Sequence, residues 1–175
     1  MHSVVVVRLT FCEGRIYMYE ENKKECYRLI KEQLKSLLEN ETHLIPNLSN
    51  ASALLKMALP DTNWVGFYLI KNDELLLGPF QGKPACIHIP IGKGVCGTAV
   101  SQAKSQVVAD VHKFPGHIAC DSESNSEIVI PIYVDNSIVG VLDIDSPIFN
   151  RFDESDRENL EEVVGIIAAG CNWNE

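Results

Sequence analysis

The chain has 175 residues, a formal net charge of −9 at pH 7 and a pI near 5.0. Its 46% hydrophobic and 22% charged residues are typical of one globular domain, and the acidic balance argues against nucleic-acid or anionic-membrane binding. No apolar run reaches the roughly 20 residues of a membrane-spanning helix. Six cysteines are too sparse for a disulfide scaffold in a chain of this length. Because the N-terminus lacks a basic secretory leader, we expect a cytoplasmic protein with reduced thiols.

The first 22 residues differ in pattern from the rest of the chain. The runs Val4–Val7 and Ile16–Tyr19 are β-prone, and charged residues dominate positions 20–25. We therefore interpret residues 1–22 as an N-terminal extension of unknown role and residues 23–175 as the domain.

Two helices are predicted at the start of this domain. From Lys24 onward the apolar residues recur at the helical period, and a second helix is predicted over His43–Ala58. Pro46 is compatible with this second helix because it falls near the first turn. The predicted inward faces carry Tyr27, Ile30, Leu34, Leu37 and Leu38 in the first helix and Leu44, Leu48, Leu54 and Leu55 in the second.

Short strands separated by turn residues follow the two helices. They are predicted at Trp64–Ile70, Glu74–Phe80, Cys86–Ile89, Gln106–Ala109, Glu127–Val134 and Ser137–Ile144. Lys71-Asn72-Asp73 and Asp135-Asn136 are typical of hairpin turns between the strands that they join.

Two further helices complete the predicted fold. One is short, over Val95–Ala103, and the other spans Asp153–Ala169. Asp153 is a favourable N-cap, and Asp156 three residues later comes close to a capping box. Helices at both ends of a strand-rich segment predict an α+β fold, in which a central, mostly antiparallel sheet carries the N- and C-terminal helices on one face.

Three of the cysteines, Cys86, Cys96 and Cys120, fall in or beside predicted loops. Cys96 lies at the start of a predicted helix, just after Gly92-Lys93-Gly94. Free N–H groups and the helix dipole at such a position favour a thiolate. Cys120 lies in a polar loop over residues 110–125, and loops of that length are often functional. Such thiols can reduce an oxidised sulfur: one attacks and becomes a sulfenic acid, and a second condenses with it to a disulfide. A single cysteine is more often a buried packing residue than a catalytic one. Three such cysteines together in one chain favour a catalytic role.

Carboxylates and aromatic residues complete the candidate site. Glu127 opens one strand, and Asp143 and Asp145 alternate at the end of another, so these two aspartates share a face. Acids gathered at a sheet end can bind an ammonium group, and one that stays protonated can donate a proton. Trp64 and Tyr68 also share a strand face and can form an apolar wall. Two alternatives stay open at this point: the aspartates can simply form a turn, and the aromatic residues can be buried only for packing.

The spacing of potential ligands argues against a metal site. Residues with donor atoms that zinc prefers are Cys86, His88, Cys96, His112, His117 and Cys120. Only His112 and His117 have the spacing of a zinc-ligand pair, and no matching cysteine pair accompanies them. Residues 92–97 have the glycine spacing of a phosphate loop, but Thr98 stands where its lysine is needed. We therefore expect no metal and no phosphate loop.

Several segments of the chain match the motifs of one known family. They are Asn63-Trp64-Val65-Gly66-Phe67-Tyr68, Gly78-Pro79-Phe80-Gln81-Gly82, Ile91-Gly92-Lys93-Gly94-Val95-Cys96-Gly97, Gly116-His117-Ile118-Ala119-Cys120-Asp121 and Gly140-Val141-Leu142-Asp143-Ile144-Asp145-Ser146. Together they resemble the free methionine-(R)-sulfoxide reductases, which consist of a single GAF domain. The resemblance covers about residues 24–170 and is specific, because all three cysteines stand in their expected motifs.

The resemblance implies a role for each cysteine. Cys120 is the implied nucleophile, which attacks the sulfoxide sulfur and is left as a sulfenic acid. Cys86 is the implied principal resolving thiol, forming a disulfide with Cys120, and Cys96 is a second or alternative resolving thiol. Thioredoxin is the implied reductant of that disulfide, and no metal or organic cofactor is implied.

The resemblance also implies how substrate is held. The implied acids that bind the substrate and assist protonation of the sulfoxide oxygen are Glu127, Asp143 and Asp145. The resemblance does not assign either role to one particular acid. Trp64 is the implied wall for the substrate methyl group, and Tyr68 is a weaker candidate for it. Since acids that bind a free α-ammonium group exclude an amide-linked residue, we expect selection for the free amino acid.

Two further expectations concern partners. GAF domains commonly pair through their terminal helices, so we expect a homodimer. The alternative function is a ligand-sensing GAF module that regulates a partner, and we expect an enzyme instead because these 175 residues show no output domain.

Overall fold

The computed structural model describes residues 16–117 and 121–174, with side chains from residue 23 onward. Its helices are α1 (Ile16–Leu38), α2 (Leu44–Ala58), α3 (Gly94–Gln102) and α4 (Glu154–Gly170). Its strands are β1 (Trp64–Lys71), β2 (Glu74–Gln81), β3 (His88–Pro90), β4 (Gln106–Val108), β5 (Ser126–Val134) and β6 (Ser137–Ser146). A 3-10 turn at Val111–Lys113 follows β4. None of the helices within this described part combines the length and the apolar character that crossing a bilayer requires.

The strands form one antiparallel sheet in the order β3-β2-β1-β6-β5-β4. Both predicted hairpins are confirmed, β1–β2 and β5–β6. Their turn residues Asn72, Asp73, Asp135 and Asn136 have φ values of 51°, 63°, 49° and 63°. Asn and Asp tolerate this left-handed backbone better than other residues with a side chain, which explains their place in these tight turns.

The sheet has a core on each face. On one face α1, α2 and α4 cover the larger core, which includes Leu34, Leu48, Ile130 and Leu160. On the other face α3 and the connecting loops cover a smaller core that includes the aromatic residues of β1. This arrangement confirms the α+β fold, with the N- and C-terminal helices packed together on one face.

The predicted start of α4 is confirmed in detail. The Asp153 side chain accepts a hydrogen bond from the backbone N–H of Asp156 at 2.9 Å, and the Asp156 side chain accepts one from the backbone N–H of Asp153 at 3.0 Å. Asp156 is fully buried and also accepts a hydrogen bond from the hydroxyl of Tyr27 at 2.7 Å. This capping box therefore fixes α4 against α1.

Three local expectations are wrong. Ile16–Tyr19 are helical, because the Glu- and Lys-rich run after them favours extension of α1 toward its N-terminus. The boundary expected at residue 22 thus falls inside α1, while Val4–Val7 lie outside the described residues. Leu37 is 43% exposed, because it lies at the edge of the buried stripe in the last turn of α1. The strand expected from Cys86 begins at His88, since the Cys86 carbonyl accepts a hydrogen bond from the Tyr68 hydroxyl.

Candidate active site

The register of the central strands brings the predicted acids together. β6 lies between β1 and β5, and Asp145 is paired with Trp64 on one side and Glu127 on the other. Asp143, two residues earlier on β6, is paired with Gly66. Residues directly opposite each other in antiparallel strands share a face, so these side chains all lie on the face that α3 covers.

A cleft opens at this end of the sheet, with about 530 Å³ of empty space including its mouth. Of the predicted site residues, the cleft is lined by Trp64, Tyr68, Cys96, Glu127, Asp143 and Asp145. The loops add Pro84, Ala85, His117, Asp121 and Ser124. The structure thus brings six of the eight predicted residues to one cavity.

The two remaining predicted residues are cysteines. Cys86 is partly buried beside the cleft, against the smaller core, and is disulfide-bonded in this structure. Cys120 lies outside the described residues. Its neighbour Asp121 lines the cleft, and the Asp121 carboxylate accepts a hydrogen bond from the Asn63 amide at 3.2 Å. The Asn63 amide also donates to the Ser124 hydroxyl at 2.9 Å, which fixes residues 121–124 to the start of β1.

Glu127, Asp143 and Asp145, named here the acid cluster, are held close together in a nearly dry site. Burial, and then the charges of Asp143 and Asp145, raise the pKa of Glu127 well above its ordinary value. Burial, and then the charges of Asp143 and Asp121, do the same for the pKa of Asp145. Burial raises the pKa of Asp143 to about 6, although hydrogen bonds from Cys96 and Glu127 oppose the rise. As pH rises, Asp143 therefore loses its proton before Glu127 and Asp145 do.

Among the described residues, the acid cluster has no strong cationic partner. In the part of the chain that the structure describes, no lysine or arginine forms an ion pair with these three carboxyl groups, and only the His117 ring approaches one, at 3.9 Å between Nε2 and Glu127 Oε2. Asp143 Oδ1 is buried and has no hydrogen-bond partner among the described atoms. Since an unpaired buried carboxylate is costly, the site favours a ligand that carries a positive charge.

Cys96 has a different environment from the one that its position at a helix start predicts. Its side chain is 3% exposed, and Sγ lies 4.0 Å from Glu127 Oε1. Burial, and then the negative charge of Asp143, raise the pKa of the Cys96 thiol well above its ordinary value. The expectation of a thiolate at Cys96 is therefore wrong, because nearby carboxylates and desolvation outweigh the start of a short helix.

Cys96, Glu127 and Asp143 each place one potential ligand atom within 4.8 Å of the others, the only such group of metal-ligating side chains among the described residues. The two histidines whose spacing resembles that of zinc ligands, His112 and His117, are not part of this group.

An aromatic wall, formed by Trp64, Tyr68 and Phe80, closes one side of the cleft. The Trp64 ring stacks on Tyr68 at 5.8 Å and on Phe80 at 5.3 Å between ring centroids. Gly66 makes this stack possible, because a Cβ there would lie 2.5 Å from the Trp64 ring. Trp64 and Tyr68 are thus both core residues and cavity lining, so the two interpretations of them are compatible.

His117 is the functional candidate that sequence reasoning missed. It lies on a tight turn, where its N–H donates to the Phe114 carbonyl at 3.2 Å and Gly116 has a φ of 74°. The Gly94 N–H at the start of α3 donates to the Gly116 carbonyl at 3.2 Å, which brings this turn to the cleft. Burial lowers the pKa of His117, so the ring is neutral at physiological pH. Its place three residues before Cys120 was the available signal.

Known proteins resemble this chain in fold and in sequence. Residues 51–170 match the family model described as GAF domain. The free methionine-R-sulfoxide reductase of Escherichia coli is 53% identical over 143 residues, covering 82% of this chain and 87% of that protein. The structure of the reduced form of fRMsr from Staphylococcus aureus has 63% identity and a TM-score of 0.81, covering 82% of this chain and 94% of that one.

A third relative was solved with its substrate. It is the free methionine-R-sulfoxide reductase from Neisseria meningitidis, with 46% identity and a TM-score of 0.81, and the match covers 84% of this chain and 89% of that one. The matched motifs, the antiparallel sheet with its helical layer and this similarity over most of both chains agree with one another. The chain therefore belongs to the GAF-domain family of free methionine-R-sulfoxide reductases.

Proposed function

We propose that this chain reduces free L-methionine-(R)-sulfoxide to methionine. The observation that carries the proposal is a buried acid cluster without a lysine or arginine partner in the described chain, beside an aromatic wall. A free amino acid supplies the missing positive charge as its α-ammonium group, and a sulfoxide methyl group fits an apolar ring surface. The names of the relatives from Escherichia coli and Neisseria meningitidis support the same substrate.

The pKa order within the acid cluster supports a division of labour. Asp143 has a pKa of about 6 and is ionised at neutral pH, so we assign it to the substrate ammonium group. Glu127 and Asp145 stay protonated because burial and the neighbouring charges raise their pKa values. Glu127 also contacts Cys96 and faces His117, so we assign proton donation to the sulfoxide oxygen to Glu127.

The proposed chemistry transfers one oxygen atom from the substrate to a cysteine. The Cys120 sulfur attacks the sulfoxide sulfur and forms a transient S–S bond. That bond and the sulfoxide S–O bond then break as the oxygen passes to Cys120, which yields methionine and a sulfenic acid on Cys120. The thiol of Cys86 then attacks that sulfenic acid, so an S–S bond forms, the S–O bond breaks, and the oxygen leaves as water. The disulfide-bonded state of Cys86 supports its part in this step. Cys96, buried and protonated, is a slower second resolving thiol.

The remaining partners belong to the same proposal. A dithiol protein of the thioredoxin class reduces the disulfide by thiol–disulfide exchange. We place this reaction in the cytoplasm, the compartment in which protein thiols are kept reduced. We also propose a homodimer, assembled through the terminal helices.

Thiol titration during a single turnover tests the proposed function. The reduced protein is mixed with free methionine-(R)-sulfoxide without an external reductant, and methionine and free thiols are counted. We expect one methionine and the loss of two thiols per chain, and Cys120→Ser abolishes both. Binding without methionine formation or thiol loss would instead support a ligand-sensing module.

A further inference from the structure

Residues 82–87, named here the resolving segment because they contain Cys86, are attached to the aromatic wall by side-chain hydrogen bonds. The indole N–H of Trp64 donates to the Lys83 carbonyl at 3.1 Å, and the hydroxyl of Tyr68 donates to the Cys86 carbonyl at 3.0 Å. Both donors belong to side chains that are at most 3% exposed. The segment is otherwise irregular, and its last carbonyl, that of Ile87, accepts a hydrogen bond from the Leu77 N–H at 2.9 Å.

The Tyr68 bond differs from the others because it reaches the residue that carries the sulfur. Tyr68 stands on β1, in the rigid centre of the sheet, and its ring stacks on Trp64. Burial, and then the charge of Asp143, raise the pKa of the Tyr68 hydroxyl, which therefore remains a donor at neutral pH. The backbone of Cys86, whose sulfur is in a disulfide in this structure, is thus joined to the sheet by a partly buried, neutral hydrogen bond.

The resolving segment is also tied to the residues that follow Cys120. The ammonium group of Lys83 lies 3.4 Å from Asp121 Oδ1 and 2.7 Å from Glu123 Oε2. Lys83 is half exposed, so each ion pair is weak on its own. Together with the Tyr68 bond they connect both cysteine-bearing loops to the same part of the sheet.

We propose that Tyr68 is a positioning residue for disulfide formation: its hydroxyl holds the Cys86 carbonyl, and thereby keeps the Cys86 sulfur in place for attack on the sulfenic acid. This inference rests on the proposed function, in which Cys86 resolves the sulfenic acid on Cys120. In that step the S–S bond forms and the S–O bond breaks, the Cys86 sulfur is oxidised and the sulfenic sulfur reduced, and water leaves. If the loop does not hold the attacking sulfur within reach of the sulfenic acid, the reaction is slower, because the two groups are less often oriented for attack.

The substitution Tyr68→Phe separates this role from the role of Tyr68 in the wall, because the ring stays and only the hydroxyl is lost. In a single turnover without external reductant, we expect disulfide formation to slow much more than methionine formation, because the ring that lines the cleft is kept. Relative to methionine formation, disulfide formation slows about tenfold, the worth of one lost hydrogen bond. A 1,3-diketone that traps sulfenic acids labels a correspondingly larger fraction of Cys120.

Tyr27→Phe is the matched control. Its hydroxyl is as deeply buried and donates to Asp156 Oδ1 at 2.7 Å, but it lies between α1 and α4 on the opposite face of the sheet. We expect both steps at wild-type rates in this variant. Disulfide formation at the wild-type rate in Tyr68→Phe, or an equal slowing of both steps, would overturn the proposal.

Lys83→Met tests the same segment from its solvent side if Tyr68→Phe folds poorly. We expect disulfide formation to slow about twofold, with no change in methionine formation, and the difference from wild type to vanish at high salt. Lys93→Met removes another exposed charge, at the N-cap of α3, and is expected to change neither step. A Lys83→Met protein with unchanged disulfide formation at low salt would contradict the proposal. Failure of the proposed function is separable, because wild-type protein would then form no methionine or lose no thiols.

Discussion

At the scale of single residues, Asp143 is the group on which the electrostatics of the cleft depend. It accepts hydrogen bonds from Cys96 and Glu127, but its Oδ1 is buried without a partner among the described atoms. A carboxylate in this position costs folding free energy, which the protein recovers when a cationic ligand binds. Such a trade of stability for function is common at binding sites.

This cost predicts a pH-dependent stability difference for Asp143→Asn. A carboxyl group whose pKa is raised in the folded state binds more protons folded than unfolded, so its contribution to stability falls as pH rises from about 4 to the folded value of about 6. The ligand-free variant should therefore match wild type near pH 4 and exceed it by up to about 2–3 kcal/mol above pH 7. Urea unfolding at several pH values measures the difference.

Asp135→Asn serves as the control for this measurement, because it makes the same change at an exposed hairpin turn. At pH 7.5 its stability should stay within about 0.5 kcal/mol of wild type, as is usual for a substitution at an exposed position. An Asp143→Asn protein that is less stable than wild type at pH 7.5 would contradict the assigned charge state of the cluster.

The environment of Cys96 predicts low thiol reactivity. In native, reduced protein at pH 8 we expect iodoacetamide to label Cys96 at least about a hundredfold more slowly than Cys171, since only the accessible thiolate reacts. The Cys171 side chain is of intermediate exposure, whereas Cys96 is 3% exposed. Peptide mass spectrometry follows the labelling, and in urea the two rates should become equal. Equal rates in the native protein would show that the Cys96 thiol is not held in its protonated, buried form.

At the scale of elements, strands β1, β5 and β6 set the geometry of the site. The alternation of Asp143 and Asp145, and that of Trp64 and Tyr68, could be predicted from the sequence because side chains alternate along any strand. The place of Glu127 opposite Asp145 could not, because it depends on the register between β5 and β6. The protonated state of Cys96 was missed for a related reason: the carboxylates around it belong to other strands.

Gly66 gives the strand geometry a direct test. In Gly66→Ala the new Cβ would lie 2.4 Å from Phe80 Cβ and 2.5 Å from the Trp64 ring, so the aromatic wall must shift. We expect the KM for methionine sulfoxide to rise about tenfold, the equivalent of about 1.4 kcal/mol of lost packing against the substrate, while the fold is kept. Steady-state kinetics measure the change.

Gly165→Ala is the matched control, because Gly165 lies exposed on α4 and a Cβ there would contact nothing within 4 Å. This variant should keep wild-type kinetics and gain slightly in stability, since Ala favours helix more than Gly. An unchanged KM in Gly66→Ala would show that the position of the Trp64 ring does not affect substrate binding.

At the scale of the whole molecule, the two faces of the sheet have separate tasks. The face under α1, α2 and α4 supplies the large apolar core, and the opposite face carries the cleft with its buried acids and thiol. The helical period and the hairpin turns made the first face predictable from sequence. The contacts of His117 and Lys83 with the cleft were not predictable, because each depends on how a loop folds back over the sheet.

The buried acids of the cleft are the basis of the central claim, that the acid cluster recognises the free α-ammonium group of methionine-(R)-sulfoxide. The most direct measurement compares kcat/KM for the free amino acid with the values for its N-acetyl and N-methyl derivatives. Acetylation removes the positive charge, while methylation adds bulk and keeps the charge. We predict that kcat/KM falls at least about thirtyfold for the N-acetyl compound, the equivalent of about 2 kcal/mol for an unpaired buried carboxylate, and much less for the N-methyl compound. Reduction of the N-acetyl compound at the rate of the free amino acid would contradict the claim.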